Sequence, residues 1–230
     1  MWSLTGVVPW RIVPAAGIQR MTLPRKTLLL LLAAITLVVG VIVVKILTAP
    51  KPAFSAEQID AGIILLPQHR DIPALSMTDQ DGQPIRLDQL KGKWSLMFFG
   101  YTFCPDICPT TLAQLRRVKA QLPAASVERL QVILVSVDPQ RDTPAKLKEY
   151  LGYFDKDFRG FNAPAPVLET FAKAVSMPYL PPDTSKPNYT VSHSGNLALI
   201  GPDGTQRGFI RAPFDTEKLV SQLPGVVAQD

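Results

Sequence analysis

Two cysteines and two histidines are all that 230 residues contain, and this scarcity limits the chemistry available. His69 and His193 lie too far apart in sequence for the paired-histidine signature of a zinc hydrolase. There is no Gly-rich phosphate loop and no nucleophilic serine elbow. The five methionines are scattered, which excludes a methionine-based copper carrier. There is no internal repeat and no low-complexity tract. Acid is missing altogether from residues 1–51.

That last absence explains the basic character of the chain. Arg11, Arg20, Arg25, Lys26, Lys45 and Lys51 are six of the 24 basic residues, leaving 18 against 19 acidic ones for 52–230. The net charge of +5 therefore belongs to the N-terminal stretch. The remainder has no electrostatic footprint for nucleic acid. With 47% hydrophobic residues the chain can build a packed core. Its length suits one membrane anchor plus one domain of ordinary size.

Thr27 to Val44 carry no charge, and Ile46 and Leu47 extend the run past Lys45. This approaches the ~20 residues that a helix needs to cross a bilayer, with Lys45 able to snorkel. A cleaved signal peptide competes, but its apolar region is usually only ~7–15 residues. Thr48-Ala49 and Ser55-Ala56 are weak cleavage sites. Four basic residues precede the run, and Glu57 and Asp60 follow it. The positive-inside rule then keeps residues 1–26 in the cytoplasm and puts the domain outside. Met21 is an alternative start that gives the same orientation. A transit peptide suits the short lead-in less well than a bacterial inner-membrane protein does. Residues 48–69 read as a linker, stiffened by Pro50 and Pro52.

From residue 70 onwards strand and helix signals alternate. Ala74–Met77 and Ile85–Leu87 flank a turn, DQDGQ. Asp79 and Asp81 mimic a calcium loop whose twelfth position, Leu90, has no carboxylate. WSLMFFG (Trp94–Gly100) and LQVILVSV (Leu130–Val137) read as buried strands. Between them Ile107, Leu112, Leu115, Val118 and Leu122 mark the apolar face of a helix. A second helix is expected after Thr143 as N-cap with Pro144 at its first position, burying Leu147, Tyr150, Leu151 and Phe154. Val167 to Val175 gives a shorter helix inside a stretch of six prolines from Ala163 to Pro187. Asn196–Ile200 and Gly208–Arg211 flank a hairpin turn, GPDG, before a helix capped by Asp215. The order predicts an α/β, thioredoxin-like domain with an inserted hairpin, preceded by one transmembrane helix.

Cys104 and Cys108 lie four apart where the first buried strand turns into its helix. A structural pair is one reading, although closing so short a loop restricts the unfolded chain little. The other reading is thiol chemistry. A helix N-terminus lowers the thiol pKa, and Pro105 and Pro109 limit the backbone. His69 reads as a solvated loop residue. His193, just ahead of the hairpin, is either a satisfied structural histidine or a group returned to the surface that carries the cysteines. Two thiolates and one imidazole make a set suited to copper as Cu(I) or Cu(II), whereas a structural zinc site usually wants a fourth protein ligand.

The segments FFGYTFCPDICPTTL (Phe98–Leu112), VSVDPQRDTP (Val135–Pro144) and YTVSHSGNLALIGPDG (Tyr189–Gly204) resemble the Sco/SenC family of membrane-anchored copper proteins that assist cytochrome c oxidase assembly. The likeness runs over roughly residues 70–225. It implies a thioredoxin-like fold with copper held by Cys104, Cys108 and His193. It also implies a copper-bearing oxidase subunit as partner, with a periplasmic thiol reductant or copper donor. A thiol-disulfide oxidoreductase acting through Cys104 and Cys108 on the oxidase cysteines is the alternative. A peroxiredoxin fits poorly, since Thr102-Phe103-Cys104 is one residue short of its motif. One departure concerns residue 192: the family commonly has Asp before the histidine, and here it is Ser192, which puts the orientation of the imidazole in question. Asp106 and Asp138 are assigned only to the surroundings of the site.

Overall fold

The computed structural model describes residues 24–48, 55–186 and 188–229. Met21 and residues 1–23 of the N-terminal segment expected at 1–26 lie outside them, as do residues 49–54 of the linker expected at 48–69. Two units are separated by contact density, Met1–Lys51 and Pro52–Asp230.

In the first unit, α1 (Arg25–Thr48) is one uninterrupted helix. At 1.5 Å per residue its 24 residues reach about 36 Å, enough to cross a hydrocarbon core. Arg25–Lys45 is long and apolar enough to span a membrane. Leu29, Leu30, Leu37 and Val44 are all exposed within their unit, so the helix is apolar on every side and has no stripe to pack on a core. Thr36 turns its hydroxyl onto the Leu32 carbonyl, 2.9 Å away, which satisfies it without water.

The second unit begins with α2 (Ala56–Asp60), closed by a capping box between Ser55 and Gln58. Next come β1 (Ile63–Arg70), β2 (Ser76–Asp79), β3 (Pro84–Arg86) and a 3-10 turn at Leu87–Gln89. β4 (Trp94–Gly100), α3 (Ile107–Gln121), α4 (Ala124–Glu128) and β5 (Leu130–Ser136) follow. Then α5 (Pro144–Gly152) leads to β6 (Arg159–Asn162) and α6 (Ala165–Ala174). The short strands β7 (Tyr179–Leu180) and β8 (Ser192–His193) precede the β9 (Leu197–Ile200) and β10 (Gln206–Ile210) hairpin, and α7 (Thr216–Val227) closes the chain.

Eight strands form one mixed sheet in the order β1-β10-β9-β4-β5-β6-β2-β3, and β7 pairs with β8 separately. β4 is parallel to β5, β5 is parallel to β6, and β9 runs antiparallel to β4. This is the thioredoxin-like order expected. The centre is β4, in which all seven residues are buried, as a strand covered on both faces requires. Phe98 and Phe99 are almost wholly buried there, each removing apolar surface worth roughly 2 kcal/mol. α3 packs on α7 and α5 on β6. Thr143 caps α5 by accepting from the Lys146 N–H, and Asp215 caps α7 through Lys218 N–H.

The structure departs from the sequence reading at two places. The sheet starts at Ile63, not after residue 69: Ile63 and Leu65 bury alternate positions of β1 against β10, up to a register shift before Arg70. His69 is therefore a strand residue. Ile107 is 49% exposed and stands apart from the buried stripe of Leu112, Leu115 and Val118. Cys104 precedes α3, because a residue before proline is driven out of the helical region.

Candidate metal centre

Gly100 ends β4 and Val137 N–H donates to its carbonyl at 2.9 Å, which holds the two parallel strand ends together. A Cβ at Gly100 would stand 2.8 Å from Cys108 Sγ, so only glycine leaves room for that sulfur. Cys108 is the second residue of α3 and is fully buried, while Cys104 is partly exposed in the preceding loop. The first N–H groups of a helix have no partner within it. The N–H groups of Asp106 and Cys108 point at Cys104 Sγ.

His193 lies on β8, opposite Tyr179 of β7. Its Nε2 is 3.4 Å from Cys108 Sγ and 3.9 Å from Cys104 Sγ. The three ligand atoms all fall within 4.8 Å of one another. The His193 Nδ1 is 3.1 Å from the Ser194 carbonyl oxygen. A carbonyl only accepts, so Nδ1 carries the proton and the Nε2 lone pair faces the sulfurs. The ring stands edge-on to Phe98 and Tyr101, with centroids 5.6 and 5.8 Å away. The question raised by Ser192 has a local answer: the backbone of Ser194 and two aromatic edges orient this imidazole, and Ser192 itself is exposed.

The sulfurs differ in charge as well as in burial. Cys104 is pushed down to about 4, chiefly because the Cys108 thiol donates to its thiolate, with the two backbone N–H groups adding to this against a cost of desolvation. Cys108 is pushed up, first by giving its proton to Cys104 and then by burial. One proton is thus shared, with the thiolate on the exposed sulfur. Cys104 and His193 open into a cleft of about 250 Å³ lined also by Tyr101, Pro105, Ile107 and Val191. A soft cation seated there would meet two sulfurs and one imidazole nitrogen, a donor set that fits copper.

Several residues behind the site were not read as site residues. Asp142, fully buried, accepts from the Thr102 N–H, the Thr102 hydroxyl at 2.6 Å and the Ser136 hydroxyl at 2.7 Å. Burial nevertheless holds its pKa above the ordinary carboxylate range. Asp138, also buried, pairs with Arg141 and accepts from the Tyr189 hydroxyl at 2.8 Å. The only sequence signal for this network was the charge density of VSVDPQRDTP. Asp106 is the N-cap position of α3 but makes no side-chain capping bond. His69 lies outside the cluster, at the exposed end of β1, where Arg207 Nη1 is 2.9 Å from its Nε2.

Comparison with known proteins agrees with this geometry. The SCO1/SenC family profile matches residues 68–228. A protein of Stutzerimonas stutzeri named for copper binding is 48% identical over 167 residues, which cover 73% of this chain and 82% of that protein. Mitochondrial SCO2 of Saccharomyces cerevisiae is 37% identical over 161 residues, covering 67% of this chain and 54% of its own length. This chain thus spans about half of that mitochondrial relative. Among solved structures, copper-bound ScoI of Bradyrhizobium japonicum superposes with a TM-score of 0.58 at 30% identity, covering 67% of this chain and 98% of that one. Copper-bound yeast Sco1 gives 0.64 at 28% identity, covering 70% and 90%. The chain belongs to the SCO1/SenC family.

Proposed function

We propose that this protein is an anchored copper carrier, which takes up one copper ion on Cys104, Cys108 and His193 and passes it to the binuclear copper site of a cytochrome c oxidase subunit. The observation that carries the reading is the convergence of two sulfurs and an imidazole lone pair within 4.8 Å. Relatives of matching fold hold copper, and the oxidase as recipient follows from the family resemblance. Copper is cargo here. The soft sulfurs suit Cu(I) and the imidazole suits Cu(II), so one set of residues accepts either. Cys104 is ready as a thiolate, whereas Cys108 must give up its proton on loading, and uptake should release protons to solvent. Oxidation of the pair to a disulfide removes both thiolates and abolishes the site, so the protein needs a thiol reductant on its own side of the membrane.

Residues 27–47 are proposed as the anchor and 1–26 as a cytoplasmic segment, which places the copper unit in the periplasm of a bacterial inner membrane. Support comes from the positive charge before the helix and the acids Glu57 and Asp60 after it. A reporter fused after Lys51 checks this: activity in the cytoplasm contradicts the topology.

The second reading, thiol-disulfide exchange, draws support from the low pKa of Cys104 beside a protonated Cys108. The Cys104 thiolate would attack a partner disulfide and release one partner thiolate. Cys108 would then lose its proton and attack the mixed disulfide, releasing the second. The partner gains two electrons and this dithiol loses two. His193→Ala in the full chain separates the readings, since exchange needs no imidazole. The carrier reading expects loss of most Cu(II) binding and failure of oxidase assembly while the dithiol still cycles. Intact assembly would make electron transfer the main task. Unchanged Cu(II) binding would show that His193 is not the third ligand.

A further inference from the structure

One side chain behind the site touches both of the segments that carry its ligands. The Arg141 guanidinium lies 3.6 Å over the ring of Tyr189, four residues before His193, and its Nη2 donates to the Tyr189 carbonyl at 2.9 Å. Its other contacts run to the cysteine loop: it faces the Phe103 ring at 4.8 Å and the Tyr101 ring at 5.7 Å. Nε pairs with buried Asp138, which also accepts from the Tyr189 hydroxyl. The Tyr101 hydroxyl in turn accepts from the Val191 N–H at 3.2 Å. Arg141 thus sits in a stack between Phe103, adjacent to Cys104, and Tyr189. A planar guanidinium with several donors can stack and donate at once, which an ammonium cannot.

We propose that Arg141 is a positioning residue for the third ligand: it clasps the Tyr189–His193 segment to the Tyr101–Cys104 segment, and thereby holds the imidazole against the two sulfurs. The inference rests on the Cys-Cys-His reading of the site. The sulfurs have anchors of their own, Cys108 in α3 and Cys104 under its backbone N–H groups. β8, by contrast, has only two residues and pairs with a strand equally short. Releasing Arg141 should therefore free the histidine and leave the thiols in place. The site would keep its Cu(I) character and lose its Cu(II) character.

The test is competitive titration of the reduced full chain in detergent with Cu(I) and, separately, with Cu(II). Two variants are compared. Arg141→Lys keeps a cation beside Asp138, and the double variant Arg141→Met with Asp138→Asn avoids leaving a buried charge unpaired. Loss of an outer partner of a metal ligand typically costs about 10–100-fold in affinity. A Cu(II) loss of that size is expected in the double variant and a smaller one in Arg141→Lys, with Cu(I) affinity within about threefold. The sulfur-to-Cu(II) absorption band should shift with the loss of nitrogen. In the metal-free chain the His193 ring NMR signals should broaden. Equal loss of Cu(I) and Cu(II), or unchanged Cu(II) binding in both variants, overturns the proposal. His193→Ala run alongside separates the two ideas: if it retains Cu(II), the ligand set itself is wrong; if it alone loses Cu(II), only the role of Arg141 falls.

Discussion

Alkylation of Cys104 in the metal-free, reduced protein should proceed at a rate almost independent of pH from about pH 5 to pH 8. With its pKa pushed down to about 4, the sulfur is about 99% thiolate at pH 6, against ~0.3% for an ordinary thiol near 8.5. That is a gain of roughly 300-fold in the reactive species. Intrinsic nucleophilicity falls with pKa at a Brønsted slope of about 0.4–0.5, which over ~4.5 units removes about 100-fold. The two effects nearly cancel, so the absolute rate is a poor diagnostic and the shape of the pH profile is the decisive one. Iodoacetamide labelling between about pH 3 and pH 9, followed by peptide mass spectrometry, reads that shape. Cys108 serves as internal control: fully buried and held as a thiol, it should remain unlabelled. Cys108→Ala removes the largest cause of the shift and should move the midpoint up, whereas Cys108→Ser keeps an O–H donor and should move it less. A Cys104 rate that climbs tenfold per pH unit through this range, or earlier labelling of Cys108, would refute the assignment of the shared proton.

Gly100→Ala puts a methyl 2.8 Å from Cys108 Sγ and 2.9 Å from Phe98 Cε1. It should cost about 1–3 kcal/mol by overpacking and weaken copper uptake, so an unchanged melting temperature with unchanged titration would contradict the packing described. Asp142→Asn keeps one acceptor oxygen but turns an N–H₂ group towards the Thr102 N–H and the hydroxyl of either Thr102 or Ser136; a loss of about 2–4 kcal/mol in chemical denaturation is expected, and a neutral result would show that the network does not hold the cysteine loop. Relative to a variant with both cysteines changed to alanine, metal-free stability should peak near the unfolded thiol pKa of about 8.5. Cys104, with its folded pKa lowered, contributes fully above that value and loses its contribution as pH falls towards about 4. Cys108, raised, loses its contribution as pH climbs above about 8.5, and a difference flat with pH would contradict both assignments.

Local signals carried much of the fold. Thr143-Pro144 and Asp215 start α5 and α7 because their oxygens or fixed φ answer needs within one turn. β4 and β5 were legible because a strand buried on both faces must be apolar throughout. β1 was not, since Pro67 and the polar end Gln68–Arg70 break its alternation and its partner β10 lies far along the chain. β6, β7 and β8 are too short to carry a period; their pairing is a tertiary fact. At the site, the cysteines were legible from their spacing at a strand-to-helix turn, and His193 through the family resemblance. The clasp of Arg141, Asp138 and Tyr189 was not, because it joins positions 51 and 48 residues apart whose stacking no local pattern encodes. Even the choice of Ser194 carbonyl as the imidazole's partner depends on how the backbone turns after β8.

Copper K-edge absorption of the reduced full chain loaded with one equivalent of Cu(II), recorded beside His193→Ala, tests the central claim most directly. The account predicts two sulfur scatterers and one imidazole nitrogen in the protein, and loss of the imidazole signal in the variant. A shell with fewer than two sulfurs, or an imidazole signal that survives His193→Ala, would contradict it.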